Sequence, residues 1–291
     1  MICAVITTFI WGTAFIAQDT GMDKIGPLTF NFSRFFVGFI SILPVALIFE
    51  KNKIKSEISK NKKMFYKYWI LMGVALFFGT FLQQASLLYT NIANAAFFTV
   101  FYVPIVPILL FFIYKQTVHW SIYPSIGLCV GGVYLLSNFS NSEIMFGDSL
   151  VILCSFFCAL HIIFAGKFMK MFNIPIFYAA LQALFVGTLS FFFAIIFENI
   201  SIENILNESY SIIYAGVLSG GLAFTLQMFA QKNIDEAPAA IIYSLEGVFA
   251  TIAGWIILKQ ILDIDNIIGC FLILIAVLLS QIAPEIKKKL E

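Results

Sequence analysis

Three side chains in this sequence stand where charge or proton chemistry is expensive. Glu246 lies in IIYSLEGVFATIAGW, with no acidic or basic neighbour for nine residues on either side. Arg34, in PLTFNFSRFFVGFISILP, is the one cation deep inside an apolar run, and His161, in ALHIIFAGKF, is the one histidine inside such a run. A carboxylate at mid-bilayer costs about 2.5–3.5 kcal/mol on insertion scales, so Glu246 needs a partner, a cavity or a proton. Three roles follow: a structural pair with Arg34, a proton-carrying site, or an anion facing a solute. The pair leads, because Arg34 enters about 12 Å from one face and Glu246 about 13 Å from the other at 1.5 Å per helical residue. Gly247, beside the acid, would let another backbone pack closely. His161 reads as a neutral hydrogen-bonding residue before it reads as a titrating one.

Patterns that would make these residues catalytic are missing. There is no HExxH, no GxxxxGK[ST], no GxSxG and no clustered His/Asp set, and the chain has 2 His in all. An intramembrane enzyme is therefore the weaker class, and no catalytic residue, metal or cofactor is expected. A non-transporting membrane sensor is weaker still, since no polar stretch exceeds about 20 residues. Nothing resembles a nucleic-acid surface. Without a P-loop, drive must come from protons or from the solute's own gradient.

The elements that hold these residues must be membrane helices. Of 291 residues, 61% are hydrophobic and 11% charged, and Phe occurs 34 times; an average soluble chain carries about 25% charged residues. The five cysteines, at 3, 129, 154, 158 and 270, all fall in apolar runs without a CxxC pair, and read as small core residues. No basic n-region or small-residue cleavage site precedes the first apolar run, and whether Met1 is the native start stays open.

Polar breaks divide the chain into ten spans of about the 20 residues a helix needs to cross a bilayer. They are 2–19, 26–49, 68–90, 95–114, 120–138, 149–168, 174–197, 210–231, 237–258 and 264–282. The loop KNKIKSEISKNKKMFYK and the other loops on its side, with both termini, carry 14 of the 17 basic residues. Lys24 and Lys259 lie on the other side with nine acids, among them Glu143, Glu198, Glu203 and Glu208. The positive-inside rule then puts both termini in the cytoplasm.

The halves, 1–140 and 141–291, resemble each other. FIWGTAFIA aligns with FCALHIIFA and Pro27 with Pro175 at an offset of 148, while NIANAAFFTVFYV aligns with DEAPAAIIYSLEG and Lys115-Gln116 with Lys259-Gln260 at 144. Five spans per half make the second half inverted relative to the first, a transporter signature. The expected fold is an all-α membrane protein of ten transmembrane helices in two inverted five-helix repeats.

FIWGTAF in the first span and SLEGVFATIAGWIILKQ in the ninth, with ANAAFFTVFYVPIVPIL and ALHIIFAGKF, resemble the EamA type of the drug/metabolite transporter superfamily. The likeness covers nearly the whole chain. It departs at Gly247, where the family usually has Pro, and at Lys259-Gln260, where it often has Gly-Glu. The resemblance implies export of a small metabolite, amino acid or drug-like solute by alternating access, in a bacterial plasma (inner) membrane. In that family an Arg at the place of Arg34 is common, which fits a structural job.

Mid-span polar and aromatic residues give the candidate cavity: Trp11, Thr13, Gln83, Tyr102, His161, Gln227 and Tyr243. Spans one, three, four, six, eight and nine would line it. Pro104 and Pro107 break span four near mid-membrane, matched by the weak point at Gly247; such paired interruptions point to a transport site. GLCVG at 127–131 and GVLSG at 216–220 are GxxxG patterns; in span five the first suits pairing within the chain better than dimerisation. The expected partners are a small solute, the lipid bilayer and protons as a candidate coupling ion, with the protein a monomer or a weak homodimer.

Overall fold

The computed structural model describes residues 1–90, 92–137, 145–257 and 263–290, and every regular element among them is helical. The first half holds α1 (Ile2–Thr20), α2 (Pro27–Phe49), α3 (Lys51–Lys60), α4 (Lys62–Ser86), α5 (Ile92–Thr99), α6 (Tyr102–Tyr114) and α7 (Ile122–Ser137). The second holds α8 (Phe146–Met171), α9 (Pro175–Phe197), α10 (Ile202–Asn207), α11 (Ser209–Tyr214), a π-helical stretch Ala215–Ala223, α12 (Phe224–Gln231), α13 (Glu236–Tyr243), α14 (Leu245–Ile257) and α15 (Ile264–Leu290). Among the described residues, nine segments are long and apolar enough to cross a membrane, and Ile122–Leu136 is a shorter apolar helix. Large apolar side chains such as Phe112, Phe192 and Phe271 point outward. That surface suits lipid, because a water-soluble chain rarely exposes so much apolar area.

Several boundaries differ from the sequence reading: the third span ends at Ser86 rather than 90, and α15 runs on to Leu290 rather than 282. The third span starts at Lys62 rather than 68, because Asn61 caps it by accepting the backbone N–H of Met64 at 3.1 Å. The stretch Lys51–Lys60, read as a loop, is a helix of its own. Glu143, Lys259 and Gln260 lie outside the described residues, and so does the proposed match of Lys115-Gln116.

Helix α2 packs along α9, α7 along α15, α4 along α8, and α1 against α14, the π-helical stretch and α12. Small residues set the closest approaches. A Cβ on Gly12 would lie 2.6 Å from the Glu246 carbonyl oxygen, and one on Gly216 would lie 2.7 Å from that of Arg34. The GVLSG glycines are thus used inside the bundle. The other GxxxG is not, contrary to expectation: Gly127 and Gly131 meet nothing, and their neighbour Gly132 makes the contact with Gly269.

The loops sort into two ends. At a lysine-rich end, Glu50 bonds Ile176 and Phe177, Glu57 bonds Asn173, Lys170 bonds Asp235, and Gln281 reaches Pro238. At an acidic end, Glu198 bonds Leu28 and Thr29, Thr90 bonds Asp148, and Asn266 reaches Leu136.

Candidate functional site

Two spans break at mid-length. In the fourth, α5 ends at Thr99 and α6 starts at Tyr102. Pro104 lacks the N–H that would bond Val100, and its ring crowds that carbonyl. The chain tightens there, with Val103 N–H donating to Val100 O at 2.8 Å. In the ninth, the break is at Ser244, whose hydroxyl turns back to Ile241 O at 2.6 Å. The interruptions therefore fall one turn earlier than Pro104, and three residues before Gly247, not at them. Pro107 lies inside α6 without breaking it. A third irregularity, the π-helical stretch holding Gly216, Gly220 and Gly221, had no counterpart in the sequence reading; such widened turns are frequent at functional sites.

These interruptions flank a cavity between the helices. Trp11, Gln83, Tyr102, His161, Gln227 and Tyr243 line it, and so do both Arg34 and Glu246. Thr13 does not; its hydroxyl bonds Ile10 O and accepts the Tyr214 hydroxyl at 2.8 Å. Gln18, Thr99, Cys158, Ser219 and Phe224 also line the cavity and were missed. Helical periodicity could have found some of them: steps of four and three from Trp11 give Phe15 and Gln18.

The Trp11 ring stands 5.6 Å from Tyr243 and 5.2 Å from Phe224, centre to centre, so one wall is aromatic. His161 Nε2 lies 2.6 Å from Gln182 Oε1, and its ring meets Phe224 edge-on. Because an amide oxygen accepts, this contact puts the ring proton on Nε2. Gln227 is 1% exposed, yet neither its amide oxygen nor its nitrogen has a hydrogen-bond partner, and the Tyr243 hydroxyl has none either. Buried polar groups are nearly always bonded, so a cavity lined with unsatisfied ones suits a polar solute or water.

Arg34 and Glu246 share this cavity without pairing. Arg34 Nε donates to Asn31 Oδ1 at 3.0 Å, three residues back on α2, and its guanidinium lies over Phe30 and Phe35 at 5.6 and 5.1 Å. Glu246 Oε1 accepts the Tyr102 hydroxyl at 3.5 Å. The direct ion pair inferred from depth is not formed, because α2 packs on α9 and the π-helical stretch while α14 packs on α1. Depth along a helix fixes height in the membrane, not neighbours.

The profile of the EamA-like transporter family matches residues 1–138 and again 145–281. The chain belongs to the EamA-like transporter family. It is 29% identical over 277 residues, 95% of this chain and 84% of the other, to an uncharacterized transporter of Archaeoglobus fulgidus. It is 25% identical over 286 residues, 94% of this chain and 93% of the other, to the uncharacterized transporter YoaV of Bacillus subtilis. A solved crystal structure with 15% identity shares the fold at a TM-score of 0.79, covering 100% of this chain and 98% of that one. This EamA-like protein is thus a multi-pass membrane transporter, and its spans bring six of the seven expected cavity residues to one cavity.

Proposed function

We propose that this EamA-like protein is a secondary transporter that exports a small organic solute by alternating access through the Trp11–Glu246 cavity. The observation that carries the reading is a mid-span cavity holding an aromatic wall, Arg34, Glu246 and unsatisfied amide and hydroxyl groups. Such a lining can hold a solute with both polar and apolar parts, a metabolite, an amino acid or a drug-like molecule. The twofold family match and the exchange of packing partners between halves (α4 on α8, and the π-helical stretch with α12 on α1) support two inverted repeats. The excess of lysine at one end supports a plasma-membrane orientation with both termini cytoplasmic.

Comparing metabolites in the medium of overproducing cells, parent against Trp11→Ala, tests the transport reading. Expected is a solute that accumulates only with the parent protein, at unchanged membrane abundance. No difference between parent and empty cells would count against export. Orientation is checked by single cysteines at Lys55 and Glu203, of which only the second should react with an impermeant maleimide from outside intact cells.

A further inference from the structure

The cavity does not run the length of the bundle. At the acidic end its lining climbs to Gln18 and Gln83, two and three residues from the ends of α1 and α4. Toward the lysine-rich end it stops at Trp11, Ile162 and Tyr243. Nearer that end of α4, α8 and α9, Phe65, Phe168 and Tyr178 are fully buried rings whose centres lie within 6.0 Å of one another.

At the same end sits a charge cluster that the transport reading has not used. Glu236, the first residue of α13, has no exposed surface, although it carries a carboxylate. Lys167 Nζ and Lys170 Nζ, both from α8, each lie 3.4 Å from its Oε1. Lys170 also holds Asp235 at 2.7 Å. Lys167 donates to Gln116 Oε1 at 2.6 Å, just past α6, and sits 4.9 Å over the Tyr114 ring. Three spans are thereby fastened at one point. Gly166 makes the room: a Cβ there would come 2.7 Å from Glu236 Cγ. Among the described residues, every ion pair between helices lies at this end.

We propose that Glu236, held by Lys167 and Lys170, is the latch that keeps the lysine-rich end shut, and that its release opens the cavity to that side. A buried carboxylate is tolerated only while paired, because unpaired burial is costly. Once the helices part, water solvates all three charges and the lost pairs are largely replaced. Such a cluster has two acceptable arrangements, paired and dry or separate and wet, as a switching element requires. The inference rests on alternating access, but its test needs no known solute.

Cys158 lines the cavity and supplies the probe. In a protein with Cys3, Cys129, Cys154 and Cys270 replaced by Ala, impermeant maleimide is applied to right-side-out and inside-out membrane vesicles. The parent should react chiefly from the acidic end. Glu236→Gln, Lys170→Gln and Gly166→Ala, the last displacing Glu236 without removing a charge, should each raise reaction from the lysine-rich end by about tenfold, within the usual span of coupling between two states. Reaction from the acidic end should fall in step. A rise from both faces would mean a loosened fold and would overturn the latch. An unchanged one-sided preference in all three variants would overturn the latch while leaving the transport reading standing. Equal reaction of the parent from both faces would defeat both.

Discussion

Glu50 and Glu198 close the same antiparallel helix pair from opposite ends. Glu198, just past α9, accepts the N–H groups of Leu28 and Thr29 at the start of α2, each at 2.8 Å. Glu50, just past α2, accepts those of Ile176 and Phe177 at the start of α9, at 3.2 and 2.7 Å. Each helix begins with proline at its first position, where the missing N–H costs nothing, and the partner's carboxylate serves donors left over. The two glutamates are 148 residues apart, the same offset that relates Pro27 to Pro175.

Replacing either glutamate with alanine should therefore lower stability in detergent by about 1–3 kcal/mol, the range for losing a charged cap. The sites lie about 34 Å apart along a 23-residue helix, at the usual rise per residue, so their effects should add. Thermal unfolding of the two single variants and the double variant checks this. A double variant no worse than the worse single one would show that the caps act as one unit.

Acid should affect two neighbouring carboxylates with opposite sign. At Glu50, burial lifts the carboxyl above its ordinary value, and the N–H groups of Phe177 and Ile176 with the Lys53 charge only partly offset this. The folded protein then holds that proton more tightly than the unfolded chain, so ionising Glu50 gives back part of what its cap contributes, and that loss fades as pH falls through the raised value. At Glu57 burial also pushes upward, but Lys60 at 2.6 Å and the Asn173 N–H outweigh it and leave the carboxyl low. Its contribution is present above the ordinary value near 4.3 and is lost as pH falls through the lowered one. Melting curves between about pH 3 and 7 should show Glu50→Gln losing an acid-side gain and Glu57→Gln losing an acid-side decline. Parent-like pH slopes in both would contradict the assignment.

Because Arg34 bonds Asn31 and Glu246 bonds Tyr102, the two charges should not rescue each other. Arg34→Gln should reduce abundance by loosening α2, whereas Glu246→Gln should remain well produced and change transport. The double variant should show the sum of both effects, with a coupling below about 0.5 kcal/mol. Recovery in the double variant would mean that the charges meet in another state of the cycle.

Much of this was legible in the sequence because membrane helices obey a coarse rule. Long apolar runs must be helices, and polar residues at mid-depth such as Gln227 must turn inward. The lysine-rich loop marked one end of the bundle for the same reason. What the sequence hid was rotation and neighbour choice. Thr13 and Trp11 stand two residues apart, yet one faces Tyr214 and the other the cavity. The latch was invisible because Lys167, Lys170 and Glu236 read as span ends and loop charges, 66 to 69 residues apart.

The glycines of the seventh helix give the sharpest test of neighbour choice. Gly132 packs on α15, where an added Cβ would lie 2.7 Å from the Gly269 carbonyl oxygen, a fixed backbone atom that cannot swing away. Gly132→Ala should therefore cost about 1–3 kcal/mol through forced separation of the helices. Gly127 and Gly131 have no atom within 4 Å of such a Cβ. Alanine there should be neutral or stabilising by about 0.5–1 kcal/mol, because glycine inside a helix gives up more conformational freedom. Unfolding in lipid nanodiscs separates the cases, with the monomer state checked by crosslinking. If Gly131→Ala were as damaging as Gly132→Ala, a helix from a second copy must cover that face in the membrane, and the GLCVG pattern would be a dimer contact after all.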